Sequence, residues 1–243
     1  ATEEQLKYSD FDALVILKDE VFESKERIYK VAKRLNNLQG IMLKFDPLQH
    51  HGWFVLKESM LKNYPLEYFP PVLFEYSKSM LKGQGESITL YADRATVDFN
   101  SPFYKLANSL IIKLNNFKKT KNSFVLKSLL SEFMLLPSLY IQAQKGEGVF
   151  KKHSYDIARR DFKEQDWGIM DEVSEIRTDW NYDINGLQRL FLTANSYAIR
   201  KVARKFAPSI SPIIADKLND SMYQKMLYLV ELMKEKLEVR HEL

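Results

Sequence analysis

The chain contains no cysteine and only four histidines among its 243 residues. The absence of cysteine excludes disulfide bonds, thiolate zinc sites and cysteine nucleophiles. His153 and His241 do not form the spacing of zinc ligands with any neighbour in the sequence, so we predict no zinc site. Any bound metal would have to be held by oxygen or imidazole ligands.

Long hydrophobic runs are also missing. No stretch of about 20 apolar residues occurs, and the first residues do not have the pattern of a secretion signal. With 45% hydrophobic and 28% charged residues, the composition is that of an ordinary globular protein. Together with the lack of cysteine, these features predict a cytoplasmic protein with no membrane partner. The net charge of +4 favours phosphate-bearing partners only weakly.

Strand and helix patterns alternate in the first part of the chain. Residues 11–18 (FDALVILK) form a short apolar run with β-branched residues, which predicts a strand buried on both faces. Residues 22–38 have apolar residues at helical spacing, and Gly40 is predicted to end this helix. The apolar runs 41–45 and 53–56 predict two further strands. The N-terminal part is therefore predicted to be a small mixed sheet with a helix.

After residue 100 the pattern becomes helical. Helices are predicted over residues 101–117, 123–144, 154–162, 167–179, 186–206 and 212–237. The predicted fold class is therefore α+β, with a mixed-sheet domain over residues 1–98 followed by an all-α helical bundle over residues 99–243. A methionine-rich apolar stripe on the last helix is predicted to be core or the seam of a homo-oligomer.

Two acids stand directly before the first apolar run, in SDFDALVIL. On a strand Asp10 and Asp12 would project to the same side, and paired carboxylates suit magnesium with its bound phosphates. Asp46 follows the predicted strand 41–45 and is a candidate third acid, either as a metal ligand in a two-metal site or as a general base. The alternative is that these aspartates only cap turns and strand ends.

This order of acid pair, amphipathic helix and acid-terminated strand resembles the nucleotidyltransferase domain of the DNA polymerase beta superfamily. The resemblance implies that Asp10, Asp12 and Asp46 are the three metal-binding and catalytic acids, and that Ser9 is the small polar residue beside the bound nucleotide. The Gly-Ser pair that opens the site in that family is absent, and Ala1 falls where the family has just passed it. The first helix and strand of the family domain are accordingly expected to be missing.

Residues 129–162 of the helical part resemble the C-terminal domain of aminoglycoside nucleotidyltransferases, where a helix ends at glycine and a lysine opens the next helix. The resemblance implies that Lys151 or Lys152 contacts the phosphates of the nucleotide. The N-terminus of a helix starting near His153 or Ser154 would add its dipole. A solvated basic turn is the alternative for this Lys-Lys pair.

Three further residues are weaker candidates. Glu132 could serve as an acceptor base, although a glutamate on a helix surface is more common. Of His50 and His51, at most one would face the same site as Asp46, because neighbouring residues of an extended segment point to opposite sides. That histidine could orient a phosphate or shuttle a proton, or it could simply hydrogen-bond a loop carbonyl.

The predicted function is a magnesium-dependent nucleotidyltransferase that transfers a nucleoside monophosphate from ATP or another nucleoside triphosphate to an acceptor hydroxyl. The acceptor is left open between an aminoglycoside-like small molecule, a protein side chain and an RNA end. A basic segment, residues 199–206 (IRKVARKF), could meet nucleic-acid phosphates through Arg200, Lys201 and Arg204, but a charged helix surface is the more common role. The alternative function is a noncatalytic nucleotidyltransferase-like module that binds or recruits a partner.

Overall fold

The computed structural model describes residues 12–49, 51–65, 91, 98–116 and 121–241. Among the residues with predicted functional roles, Ser9, Asp10 and His50 lie outside these ranges, and the side chain of Lys152 is likewise not described.

A parallel pair of strands, β1 (Leu14–Leu17) and β2 (Phe54–Lys57), forms the sheet of the described residues. Leu14 pairs with Phe54, and the register continues to the last residue of each strand. Parallel neighbours need a crossover connection, and the helix α1 (Lys25–Phe45) supplies it. We call these three elements the βαβ unit. The strand predicted over residues 11–18 is confirmed with shorter bounds, and the one predicted over 53–56 is confirmed with a shift of one residue.

Helix α1 begins at a side-chain cap and runs further than predicted. The Ser24 hydroxyl accepts a hydrogen bond from the Arg27 N–H at 3.2 Å, which satisfies a donor of the first turn. The helix then continues through Gly40, so the predicted strand over residues 41–45 is wrong. A glycine inside a helix costs only about 1 kcal/mol relative to alanine, and here Gly40 is buried against Asn195. The chain turns instead after Asp46.

The rest of the described chain, residues 101–241, is a helical region. Its helices are α2 (Ser101–Asn115), α3 (Ser123–Phe133), α4 (Leu136–Lys145), α5 (Lys151–Arg159), α6 (Glu164–Thr178), α7 (Gly186–Leu192), α8 (Tyr197–Ala203), α9 (Pro212–Lys217) and α10 (Asp220–His241). Short 3-10 turns cover Asp19–Glu23, Glu58–Asn63 and Arg204–Phe206. A mostly helical chain with a small parallel sheet agrees with the predicted α+β class at this coarse level.

Three of the predicted helices are each divided in two. The break within 123–144 falls before Pro137, whose ring restrains the preceding residue and which has no N–H to donate. Within 186–206 the chain leaves the helix after Leu192 and enters the next one at Tyr197. Within 212–237 the break follows Lys217. The predicted helices over 101–117, 154–162 and 167–179 are confirmed as α2, α5 and α6.

The main hydrophobic core lies in the helical region. It joins 31 buried residues, all between Phe103 and Leu237, and includes the fully buried Trp167 and Trp180. The methionine stripe of α10 is part of it, since Met222, Met226 and Met233 are buried. The structure therefore uses this stripe as core, which was one of its two predicted roles.

The segment Ser123–Lys145 is long and apolar enough to cross a membrane by length and composition alone. In the structure 61% of its most apolar window is buried inside the protein, as is usual for core helices. Turn residues between Phe133 and Leu136 also divide it into α3 and α4. We therefore treat it as part of the core.

Polar side chains join the βαβ unit to the helical region. Arg200 is only 3% exposed, and its guanidinium donates to the Asn36 side chain at 2.9 Å and to the Ala194 carbonyl at 2.7 Å. Asn195 in turn donates to the Asn37 side chain at 2.8 Å. Arg200 therefore holds α1 to the segment before α8, and it is not on a basic surface as its spacing predicted.

Candidate functional site

Asp12 lies two residues before β1, at the N-terminal edge of the sheet, and is exposed. The Phe54 N–H donates to the Ala13 carbonyl at 3.1 Å, so the two strands enter the sheet side by side. Because the strands are parallel, Asp12 and the segment that precedes β2 lie at the same edge. This edge is the candidate site.

Residues 46–53 form the connection that leads from α1 to this edge. Asp46 ends α1, and its carboxylate oxygen Oδ1 accepts a hydrogen bond from the Leu48 N–H at 3.0 Å. Its own carbonyl accepts from the Gln49 N–H at 3.1 Å, which closes a tight turn. His51 follows, half-buried, with its ring centroid 5.8 Å from that of Phe54. The structure therefore places His51 at the same edge as Asp12.

Asp46 forms an ion pair with a residue that the sequence did not single out. Its oxygen Oδ2 lies 3.1 Å from the Lys127 ammonium, and the Lys127 side chain is only 1% exposed. A buried ammonium needs an opposite charge close by, because its loss of hydration is otherwise uncompensated. The Asp46 carboxylate thus ties the end of α1 to α3, across a sequence separation of 81 residues.

This geometry changes the expected role of Asp46. The sequence predicted it at the end of a strand beside Asp10 and Asp12, whereas the structure places it at the end of a helix. One of its oxygens accepts from a backbone N–H and the other from a buried ammonium. A metal ion at this carboxylate would compete with the Lys127 ammonium for the same negative charge.

Tyr182 lies near this ion pair. Burial and, to a smaller extent, the Asp46 carboxylate raise the pKa of its hydroxyl to about 12, while Arg189 acts in the opposite direction. The phenol is therefore protonated at neutral pH and has a proton to donate. Tyr182 was not predicted as a site residue, because its proximity to Asp46 arises only from the packing of the helical region on α1.

The predicted phosphate-binding lysines stand in the first turn of α5. The helix begins at Lys151, slightly before the predicted start near His153 or Ser154. The N–H groups of these two residues already bond to the Phe150 carbonyl, at 2.9 and 3.2 Å. Lys151 is half-buried at the N-terminus of α5, where its positive charge would add to the positive end of the helix dipole in attracting an anion. Its role toward a nucleotide stays a prediction.

Glu132 is placed as a structural residue. Its carboxylate accepts from the Lys113 ammonium at 2.8 Å and from the Ser128 hydroxyl at 3.4 Å. The Lys113 contact joins α2 to α3 on a partly exposed surface, and the Ser128 contact lies within α3. They correspond to the helix-surface alternative and provide no support for an acceptor base.

The described residues contain no group of three or more His, Cys, Asp or Glu side chains that could hold a metal ion. Asp10, one of the predicted ligands, lies outside those residues. The donor chemistry at Asp12 nevertheless fits magnesium, because an exposed carboxylate provides an oxygen ligand and leaves room for the waters this ion retains. The fit thus rests on the pair Asp10 and Asp12.

A cavity of about 370 Å³ lies at the opposite end of β1 from Asp12. It is lined by the last residues of the strand, by Lys18 and Glu20, and by the first turns of α1, including Arg27. Arg27 is paired with Glu23 at 2.9 Å. This cavity is separate from the candidate site at the N-terminal edge.

No protein-family model, no curated protein and no solved structure matches the chain. The function must therefore be argued from the residues of the site.

Proposed function

We propose that the chain is a magnesium-dependent nucleotidyltransferase of the DNA polymerase beta type. It would transfer a nucleoside monophosphate from ATP or another nucleoside triphosphate to an acceptor hydroxyl. The observation that supports the proposal is the position of Asp12. It stands at the exposed edge of a βαβ unit, two residues after Asp10 and two residues before the first strand.

The proposed reaction is an in-line displacement. The acceptor oxygen attacks the α-phosphorus, the bond from that phosphorus to the bridging oxygen breaks, and pyrophosphate leaves. The acceptor proton passes to a general base. When bound, magnesium would neutralise phosphate charge and activate the attacking oxygen.

The residues of the edge have distinct roles in this proposal. Asp10 and Asp12 are assigned to hold the metal, as the sequence predicts for paired carboxylates two positions apart. His51 lies at the same edge and is assigned to orient a phosphate or carry the acceptor proton. Asp46 is assigned a positioning role, because its oxygens hold the Leu48 N–H and the Lys127 ammonium.

The phosphate end of the nucleotide is assigned to Lys151 and Lys152. A lysine acts as a mobile point charge for phosphate oxygens, and the first turn of α5 adds the positive end of its dipole. Charge reversal at both lysines would therefore weaken nucleotide binding more than it weakens metal binding.

The test is calorimetric titration of magnesium-ATP and magnesium-GTP into the chain and into an Asp10→Asn, Asp12→Asn variant. We expect binding that requires magnesium and falls at least about tenfold in the variant, since removing two carboxylates removes the metal ligands. The matched control is Asp183→Asn, Asp216→Asn, which neutralises two exposed aspartates of the helical region and should bind as the unmodified chain does.

Equal binding by both variants, or binding that persists without magnesium, would contradict the proposal and favour a noncatalytic module. If binding behaves as expected, incubation with labelled ATP and one acceptor of each class would follow. Release of pyrophosphate together with transfer of label to a small molecule, a protein or an RNA would then identify the acceptor.

A further inference from the structure

The segment that contains α7 and α8 has an unusual charge distribution. Between Asp183 and Asp216 the chain has no acidic residue. The five basic residues in this stretch are Arg189, Arg200, Lys201, Arg204 and Lys205. Arg200 is buried and bonded to Asn36 of α1. The positive charge of this surface therefore comes from the other four basic residues.

On the outer side of α8 and of the 3-10 turn that follows it, lysines alternate with large apolar and aromatic side chains. Tyr197 and Lys201 are four residues apart in α8 and are therefore neighbours on its surface, and the exposed Lys205 follows in the 3-10 turn. Tyr197 is 65% exposed and Phe206 is 71% exposed. Side chains exposed to this degree project from the surface and do not line a groove. We call these four residues the Tyr-Lys ridge.

Neither lysine of the ridge forms an ion pair with a carboxylate among the described residues. Elsewhere in the helical region three surface lysines are each paired with a carboxylate: Lys113 with Glu132, Lys217 with Asp179 and Lys225 with Glu172. The local field of the ridge is therefore positive, despite the small net charge of the whole chain.

The ridge is held in place from below. The Arg204 guanidinium stacks over the Phe124 ring, 4.6 Å from its centroid. The Asn122 side-chain amide donates to the carbonyls of Arg204 and Lys205, at 3.0 and 3.2 Å. Lys121, next to Asn122, is exposed and extends the positive surface. A fixed backbone lowers the entropy lost when the projecting side chains are immobilised by a ligand.

We infer that the Tyr-Lys ridge binds single-stranded nucleic acid. Lysines can contact successive phosphates, and projecting aromatic rings offer stacking surfaces for unpaired bases. The two lysines lie among the apolar side chains of the outward face, which makes insertion of this face into a lipid bilayer unfavourable. Like charges also oppose its pairing with the same face of a second copy.

The ridge adjoins the βαβ unit. The Arg189 guanidinium donates to the Lys44 carbonyl at 3.3 Å, one residue before the end of α1. Binding at the ridge requires neither magnesium nor a nucleoside triphosphate, so it is independent of the catalytic proposal. If both hold, the bound strand would bring a nucleic-acid end toward the site as the acceptor.

The test is fluorescence anisotropy with a labelled single-stranded RNA of about 20 nucleotides, without metal or nucleotide. We expect binding at about 0.05 M salt that weakens steeply as salt rises, because lysine–phosphate contacts release counterions. In a Lys201→Gln, Lys205→Gln variant affinity should fall about tenfold, and the slope of log K against log salt should become shallower by about 1.4. Tyr197→Ala should weaken binding about fivefold or more through lost stacking.

The matched control is Lys225→Gln, Lys234→Gln, which removes the same charge from α10, and it should bind as the unmodified chain does. Far-UV circular dichroism and melting of each variant show whether the fold is retained. The inference is overturned if the RNA does not bind at low salt, or if both lysine pairs weaken binding equally. It is also overturned if vesicles rich in phosphatidylglycerol bind the chain and the RNA does not.

Discussion

The βαβ unit and the helical region differ in how their residues are buried. In the helical region 31 residues form one continuous core. Among the described residues of the βαβ unit and its flanks, the buried hydrophobic cluster consists of Leu56 and Tyr64. Every residue of β1 is only half-buried, and Tyr29 and Phe45 of α1 are exposed. The candidate site thus belongs to the part with the smaller described core.

This difference shows how the site can be positioned without a large core of its own. The contacts that hold it to the helical region are polar and specific: Asp46 with Lys127, and Asn36 with Arg200. Such contacts fix orientation, whereas the helical core supplies most of the free energy of folding. Elements with few buried apolar contacts also open more easily, which suits a site that must admit a nucleotide and an acceptor.

The largest effect should follow truncation of the helical core. Phe133 is fully buried in α3, so Phe133→Ala should lower the free energy of unfolding by about 3 to 5 kcal/mol. Leu56→Ala in β2 should lower it by about 2 kcal/mol, near the low end for such changes, because its half-exposed surroundings can relax into the space. Urea unfolding followed by far-UV circular dichroism measures both values.

The order of the two effects is the decisive result. If Leu56→Ala were as damaging as Phe133→Ala, the βαβ unit would be part of one cooperative core with the helices. The contrast between the two regions would then be wrong.

The next effect tests the polar link between the regions. Asp46→Asn preserves an acceptor for the Leu48 N–H but removes the negative charge 3.1 Å from the buried Lys127 ammonium. We expect it to destabilise the chain by about 3 kcal/mol. Lys127→Met should cost about 1 kcal/mol or less, because it replaces the buried charge with an apolar chain while the Asp46 side chain, 19% exposed, keeps access to water.

Urea unfolding gives these two values, and native-state hydrogen exchange shows where they act. We expect Asp46→Asn to lower protection in α1 as well as in α3, because the ion pair connects these helices. Equal effects of the two variants would mean that the ammonium is less dependent on Asp46 than the structure indicates.

Local patterns predicted much of the fold, and they failed where distant residues decide the outcome. The existence of the two strands and of the helices α2, α5 and α6 followed from their apolar patterns, whereas the sequence predicted a mixed sheet and the structure pairs these strands in parallel. The segment 41–45 was predicted as a strand because Gly40 indicated a helix end, but the packing of α1 against Asn195 retains the helix. Pro137 was a signal for the break between α3 and α4 that the apolar run obscured.

The candidate site was predictable only in part. The acid pair before β1 is visible in the sequence, and in the structure Asp12 lies two residues before that strand. Lys127 could have been noticed as a charge on an apolar helix, but nothing local identifies Asp46 as its partner 81 residues away. Tyr182 has no signal in the sequence, because its environment is assembled from three separate segments.

The smallest effect is a pH dependence of stability that compares Tyr182, near the Asp46 ion pair, with Tyr223 in the helical core. Burial is the main cause that raises the pKa of each tyrosine to about 12, above the ordinary value of 10.0. Between these pH values the unfolded chain has lost the phenol protons and the folded chain has not. The stabilisation is therefore complete below pH 10 and is lost as the pH rises toward 12, by up to about 1.4 kcal/mol per pH unit for each tyrosine and less where solvent reaches the ring.

Urea unfolding at intervals from pH 9 to 11.5 should show a shallower decline of stability in Tyr182→Phe and in Tyr223→Phe than in the unmodified chain. Because Asp46 contributes to the shift at Tyr182 alone, Asp46→Asn should reduce the decline further in the Tyr223→Phe background and leave it unchanged in Tyr182→Phe. A reduction of equal size in both backgrounds would separate Tyr182 from the Asp46 ion pair and remove it from the candidate site.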